Sequence, residues 1–362
     1  MKVGITLPSQ FPFGSTEQLL PVYEEMGVDS YWAPDHILGV FHPQIWPDIP
    51  LSVLADDPDA FYDPFVYGAR IGTMTDKTYG ISVTDSTRRQ AADLARTALS
   101  LNDLIPGGFI LGMGSGEAES LLPFGYPFDE PVGILEDCLA ELRCLLDEGH
   151  MRNNPIGRMG LPLEAEGRGK PAVWVAGHGP RMLRLTGQYG DGWIPAWWMS
   201  PDEYAEKYRI IGEHASAAGR PTPEASLLPF VIFSESLERA EEMFEAEPLG
   251  KLFGLFAMGH IWEANGLQHP LGNDSQGFID VIIHDLDADE LRDLAPTIPF
   301  EMVTQVLFIG NAEELGRQFE GYAEAGLEHV VLANLTGVVG GMDEIMARGM
   351  ELPQLMAVLR EL

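Results

Sequence analysis

The sequence predicts an α/β fold: a (β/α)8 TIM barrel read as a single domain over residues 1–362, with an insertion at about 237–300. Three observations lead there. Short apolar runs alternate with amphipathic helical stretches about eight times along the chain. Parallel strands need crossover connections, so this alternation reads as a parallel sheet. The length of 362 residues suits one α/β barrel. Stretches rich in Gly, Pro, Asp and aromatic residues follow several of the strands, where a barrel gathers its loops on one face. Eight units fit a closed barrel better than an open doubly wound sheet, the other arrangement the pattern allows.

The elements follow in order. Residues 3–7 form strand one and 16–26 a helix, with Gly27 as its C-cap, because glycine takes the left-handed conformation without penalty. Strand two spans 30–33. Residues 34–60 are then a long loop of Pro, aromatics and Asp that a bare scaffold does not need. A helix at 63–74 leads to strand three at 79–84, and a helix with Leu and Ala at helical spacing, 91–104, leads to strand four at 109–113. A helix at 135–148, strand five at 171–176, a helix at 181–188 and strand six at 192–195 come next. Residues 201–217 form a helix with Pro201 at its start, where the missing N–H costs nothing. Strand seven is placed at 227–233. After the insertion the rhythm resumes with 306–309, a helix at 312–325 and the last strand at 330–333. The final helix lies within 342–359, with an interruption expected at Pro353.

Composition narrows the function classes. Fifty-five acids face 22 Lys plus Arg, a net charge of −33, and such a chain is repelled by nucleic acid and by anionic membranes. Two cysteines, Cys138 and Cys144, stand six apart, a spacing that suits neither a zinc site nor a redox pair. No run reaches the ~18 apolar residues of a membrane span, and the amino-terminal residues carry no leader pattern. A soluble, cytoplasmic protein is expected. The nine histidines form no H-E-x-x-H pair, so no metal is expected, and no G-x-S-x-G elbow points to serine hydrolysis.

Five segments at strand ends could carry chemistry. Asp35-His36 closes strand two, where a histidine can meet a cofactor ring, shuttle a proton, or simply be a buried structural residue. Residues 79–89 run from strand three through Ser82, Val83 and Thr84 into a polar turn that could cap a helix or touch a ligand. Gly112-Met-Gly114-Ser115-Gly116-Glu117 ends strand four. Its glycines let backbone approach a ring or phosphate closely, and Glu117 could act as acid or base or be a solvated loop carboxylate. This is neither G-x-G-x-x-G nor a P-loop, which argues against a Rossmann dinucleotide site. Ala176-Gly177-His178-Gly179-Pro180-Arg181 joins strand five to a helix whose N-terminus could hold an anion. Residues 152–184 carry six basic side chains against Glu164 and Glu166, a positive island that would suit a phosphate or an ordinary basic helix face. Finally, Trp193, Trp197 and Trp198 cluster after strand six, either as walls of an apolar pocket or as packing.

Together these segments resemble the bacterial luciferase-like superfamily, and within it the enzymes that use the deazaflavin coenzyme F-420. The likeness lies in Asp35-His36, Gly80-Ile-Ser-Val-Thr84, Thr87-Arg-Arg-Gln90, Gly112-Met-Gly-Ser-Gly-Glu117, the turn at 176–184, and Tyr189-Gly-Asp-Gly-Trp-Ile-Pro195. It extends to His269-Pro270 and His329-Val-Val-Leu332, and so spans nearly the whole chain. It is nearest to the phthiodiolone ketoreductase group, with methylene-tetrahydromethanopterin reductase and the F-420-type glucose-6-phosphate dehydrogenase further away. The resemblance implies a barrel of luciferase-like type, a homodimer, and hydride transfer between coenzyme F-420 and a small organic substrate. FMN, with monooxygenase chemistry, is the alternative. It implies His36 and Glu117 as the acid/base pair. The implied cofactor contacts are Asp35, Ser82, Val83, Thr84, Gly114, Ser115, Gly116 and Ala176 through Arg181, with a non-proline cis peptide at Ser82–Val83 behind the ring. The loops after strands two and six carry Trp, Phe, Pro and Asp in place of the basic residues that a sugar-phosphate enzyme needs, which implies a neutral or apolar substrate, with Trp46, Trp193 and Trp197 lining its pocket.

Overall fold

The computed structural model describes residues 1–161, 169–196 and 199–362. Eight parallel strands close into a barrel: β1 (Lys2–Thr6), β2 (Ser30–Ala33), β3 (Thr78–Ile81), β4 (Phe109–Gly114), β5 (Ala172–Val175), β6 (Gly192–Trp193), β7 (Glu224–Leu227) and β8 (His329–Asn334). Each pairs with the next, and β8 returns to β1 with Val330 opposite Val3. The helices that accompany them are α1 (Gly14–Met26), α2 (Pro64–Ile71), α3 (Ala91–Leu104), α4 (Pro131–Asp147), α5 (Pro180–Tyr189), α6 (Pro201–Ala217), α7 (Ala312–Glu324) and α8 (Glu351–Glu361). The expected (β/α)8 architecture is present. Gly27 ends α1 in the left-handed conformation at φ 72°, with its N–H on the Glu24 carbonyl.

Strand residues alternate between two apolar layers, as period-two geometry requires. Val3, Ile5, Tyr31, Ile81, Leu111 and Val173 face the helices. Trp32, Ile110, Trp174, Ile194 and Val331 fill the lumen. The two indoles lie 5.2 Å apart, and glycines on neighbouring strands make room for them. A Cβ at Gly80 would stand 2.4 Å from the Trp32 ring, and one at Gly192 2.4 Å from that of Trp174. At the strands' amino-terminal end Trp32 Nε1 donates to Ser30 Oγ at 2.8 Å, and Ser30 Oγ meets His329 Nε2 at 2.9 Å. That face of such a barrel serves stability.

Two strand and helix ends differ from expectation. The single strand seven expected at 227–233 is two strands. β7 stays in the barrel, the chain breaks at Leu228-Pro229, and Phe230–Phe233 pairs outside it with Leu307–Gly310 and the end of β8. Proline has no N–H for the ladder, which accounts for the break. Pro353 does not interrupt a helix either. It lies in the first turn of α8, where no intrahelical donor is needed, and the interruption falls between Ala347 and Glu351.

Residues 237–300 fold as short helices, from Leu237–Ala246 to Phe300–Val303. Their Phe244, Phe253, Phe256 and Trp262 join Phe41, Ile45 and Trp46 of the loop after β2 in a second apolar cluster. Asp59 ties the two segments together by accepting from Gly39 N at 2.6 Å and from His284 Nε2 at 3.0 Å. Trp46 therefore does not wall a substrate pocket. It is 3% exposed, packs 5.3 Å from Phe41, and donates from Nε1 to the Ala55 carbonyl at 2.7 Å, bracing its own loop. Among the described residues no helix is long and apolar enough to cross a membrane.

Candidate active site

The carboxyl-terminal ends of β2 and β4 build the centre of the site. β2 ends at Ala33, and Pro34 directs the chain outward so that Asp35 and His36 stand just past the strand. β4 ends at Gly114, turns through Gly116 at φ +92°, a conformation that favours glycine, and enters the short helix Ala118–Leu121. That turn carries two carboxyl groups to one imidazole. His36 Nδ1 donates to Glu119 Oε1 at 2.7 Å, and Glu117 Oε2 lies 3.9 Å from the same nitrogen. The Glu119 side chain is 1% exposed and that of Glu117 36%. His36 and Glu117, expected from the sequence, are thus brought together. Glu119 was missed, although the run Gly-Glu-Ala-Glu at 116–119 offered a second acid beside the first.

Each group alters its neighbours' proton affinity. Burial by itself would lower the His36 pKa, but the Glu119 hydrogen bond and charge, followed by Glu117 and Asp35, outweigh it and raise the value to about 9. Glu117 rises to about 7, chiefly through burial, with Glu119 adding to the rise while His36 and Arg88 oppose it. His36, Glu117 and Glu119 each offer a ligand atom within 4.8 Å of the others. Two ligands on one zinc ion would stand roughly 3.3 Å apart, so the 2.7 Å contact is hydrogen-bond geometry.

Asp35 is clamped from behind. Arg89 grips its carboxylate through Nε and Nη2 at 3.0 and 3.2 Å, and Thr84 Oγ1 donates to it at 2.6 Å. Arg88 donates to the Asp35 carbonyl at 2.7 Å and also pairs with Asp85. Asp35 and Thr84 therefore spend their polar atoms on each other and on the arginines, which fixes the base of the His36 loop. The sequence reading treated Arg88 and Arg89 only as part of a motif.

The Ser82–Val83 peptide is cis. The glycines of β4 are explained by this bulge. A Cβ at Gly112 would lie 1.9 Å from the Ile81 carbonyl oxygen, and one at Gly114 2.8 Å from Val83 Cγ2. Both make room for the bulge, and Val83 remains partly exposed above them.

The turn after β5 has a free helix start. Gly179, the N-cap of α5, brings no side-chain acceptor to the first backbone N–H groups, and Gly179 and Pro180 are exposed. His178 adds no positive charge, because burial, helped by Lys207, pushes its pKa down to about 3. Four of the six cations of the positive island expected at 152–184 are not free either. Arg181 and Arg184 both pair with Glu136 of α4, at 2.8 and 3.0 Å, Arg152 pairs with Glu141 and Lys170 with Asp147; Arg168 lies outside the described residues. The acids belong to α4, which ends before the counted window, so a count confined to residues 152–184 does not include them. What this turn offers an anion is its backbone N–H groups and the helix dipole, not a side-chain charge.

Trp193 was expected in a pocket wall and is instead in the core, 0% exposed, packed against Tyr204 and Tyr208 of α6. Its Nε1 donates to the Gly177 carbonyl at 3.0 Å, so it holds the turn from beneath. Trp197 lies outside the described residues.

Comparison with known proteins gives three findings. The sequence pattern of the luciferase-like monooxygenase family matches residues 1–329. The phthiodiolone/phenolphthiodiolone dimycocerosates ketoreductase of Mycobacterium tuberculosis is 33% identical over 347 residues, covering 91% of this chain and 88% of that protein. Two solved structures share the fold. One is the coenzyme F420 dependent tetrahydromethanopterin reductase from Methanopyrus kandleri, with a TM-score of 0.70, 16% identity, and coverage of 99% of this chain and 97% of that one. The other is the oxygenating constituent of 3,6-diketocamphane monooxygenase of Pseudomonas putida, in complex with FMN, with a TM-score of 0.61, 16% identity, and coverage of 98% and 96%.

Proposed function

Because this chain belongs to the luciferase-like monooxygenase family, we propose that it is an oxidoreductase moving a hydride between coenzyme F-420 and an organic carbonyl or alcohol, or an activated C=C or C=N bond, at the barrel mouth. The residues present fit such a cofactor. The uncapped start of α5 offers backbone donors to its phosphate, with Ala176 through Arg181 around it. The partly exposed Val83 bulge, with Ser82 and the Gly114–Gly116 segment beside it, offers a flat apolar backing to its ring. When bound, the reduced deazaflavin supplies the hydride; this chain's own residues orient the substrate and move the proton.

The observation that carries the reading is the His36 imidazole at the mouth with two carboxyl groups on its Nδ1 side, at 2.7 and 3.9 Å. An imidazole whose proton affinity these carboxyl groups raise suits proton donation in the conversion of a carbonyl to an alcohol. The 33% identity to a protein named as a ketoreductase supports the same direction. FMN is the competing cofactor.

Replacing His36 with Asn is expected to lower the rate of carbonyl reduction by roughly 10²–10⁴-fold while leaving cofactor affinity unchanged. Binding of reduced F-420 and of reduced FMN, measured side by side on the purified chain, tests the cofactor. Tight FMN binding without F-420 binding would overturn that assignment.

A further inference from the structure

Glu119 has no role in the acid/base pair that the family likeness supplies, yet it is far more deeply buried than Glu117. A carboxyl group withdrawn from water needs a partner, and the partner its carboxyl oxygen meets is His36 Nδ1, at 2.7 Å. Glu117 approaches the same nitrogen only to 3.9 Å, too far for a hydrogen bond. Both carboxyl groups thus lie on the Nδ1 side of the ring. The other charged groups nearby are committed: Asp35 is held by Arg89, Thr84 and Arg88, while Arg88 also pairs with Asp85. The neighbouring ring is that of Phe61, 6.0 Å from the imidazole, and it carries no charge.

We propose that Glu119 is the positioning residue for His36: by holding Nδ1–H it turns Nε2–H toward the substrate oxygen and makes His36, rather than Glu117, the proton donor. This rests on the hydride-transfer reading above. In carbonyl reduction the carbonyl carbon accepts a hydride from the reduced deazaflavin. The C=O π pair moves to oxygen, and that oxygen takes the proton from His36 Nε2. The products are the alcohol, the oxidised cofactor and a neutral imidazole that still carries Nδ1–H on Glu119. A proton from solvent restores Nε2–H, and the oxidation of an alcohol runs through the same positions in reverse. The arrangement also separates the two carboxyl groups by task. Glu119 fixes the ring and its tautomer, a function for which depth is an advantage, whereas the more exposed Glu117 stands where it can exchange protons with solvent.

The test is a histidine NMR titration of the full chain without cofactor, with His36→Asn identifying the signal. In the wild type the His36 imidazole is expected to titrate near 9, and its neutral form is expected to carry the proton on Nδ1. Glu119→Gln is expected to lower that midpoint by roughly one to two pH units, and Glu117→Gln by less. With reduced F-420 and a ketone, the Glu119→Gln rate should fall steeply above neutral pH and recover as pH is lowered, with cofactor affinity unchanged. A merely structural role would not give that recovery. Glu119→Asp should restore part of the midpoint. A wild-type midpoint at or below the ordinary 6.5 overturns the proposal without any variant, which matters if Glu119→Gln does not fold. A larger shift from Glu117→Gln than from Glu119→Gln overturns it too. If the titrations come out as expected but neither F-420 binding nor turnover is found, the Glu119–His36 arrangement stands and the hydride-transfer reading fails.

Discussion

At the scale of single residues, the mouth of this barrel depends on how proton affinities are set apart. His36 and Glu117 are both half-buried but touch different groups, and both depart from their ordinary values in the same direction. Both shifts make stability fall as pH rises, the histidine by losing a favourable interaction and the carboxyl group by taking on a penalty. A histidine whose pKa is raised on folding contributes stability that is complete below 6.5 and is lost as pH rises through about 9. A carboxyl group raised from 4.5 to about 7 does the reverse of a salt-bridged one: it costs nothing while protonated, and its penalty grows as pH rises from 4.5 to 7 and then levels off. Glu117→Gln mimics the protonated form. The variant should therefore match the wild type in melting temperature at pH 4 and exceed it at pH 8. A variant less stable than the wild type at pH 8 would contradict burial as the main cause of the shift.

At the scale of elements, the glycines of β4 matter through the space they leave. A methyl group at Gly112 has nowhere to go, since its nearest neighbour is the backbone oxygen of Ile81 and the next is Val83 Cγ1. Gly112→Ala should cost at least the ~1–3 kcal/mol of an overpacked core, read as a lower denaturant midpoint. Periodicity made most of these elements legible beforehand, because each strand and helix carries its own apolar spacing. The break in strand seven was less so, since residues 224–233 are mostly apolar throughout and only Pro229 marks the change of sheet. The site was legible in part for the same reason. Asp35, His36 and Glu117 follow strands and so announce their face, and the Ser82–Val83 bond is cis as the likeness implied. The partners were not legible. Glu136 neutralises Arg181 and Arg184 from 45 and 48 residues away, and Glu119 meets His36 across 83. Trp46 and Trp193 show the related difficulty that a tryptophan near a strand end looks alike whether it faces a ligand or a core.

For the whole molecule, the chief addition to the bare barrel is the 237–300 segment, whose aromatic side chains share a cluster with the loop that follows His36. The polar clasp across this junction has two ties: Asp59, itself bonded to Gly39, meets His284, and Arg292 donates to the Gln44 carbonyl and pairs with Asp48. Asp59→Ala should leave the barrel's melting temperature nearly unchanged yet speed proteolytic cleavage within residues 34–60, because the loop would lose a hydrogen-bonded tie while the strands keep theirs. No gain in cleavage rate would mean that the apolar cluster and the Arg292 contacts suffice to hold the loop. The lumen has a further consequence, for traffic. Trp32 and Trp174 stopper the barrel, and the Ser30–His329 bond lies beneath them, so nothing passes from one end to the other. Any two molecules that react over this plug share a single doorway. Two indole rings that lie in the lumen thus decide which end of the barrel is open to traffic.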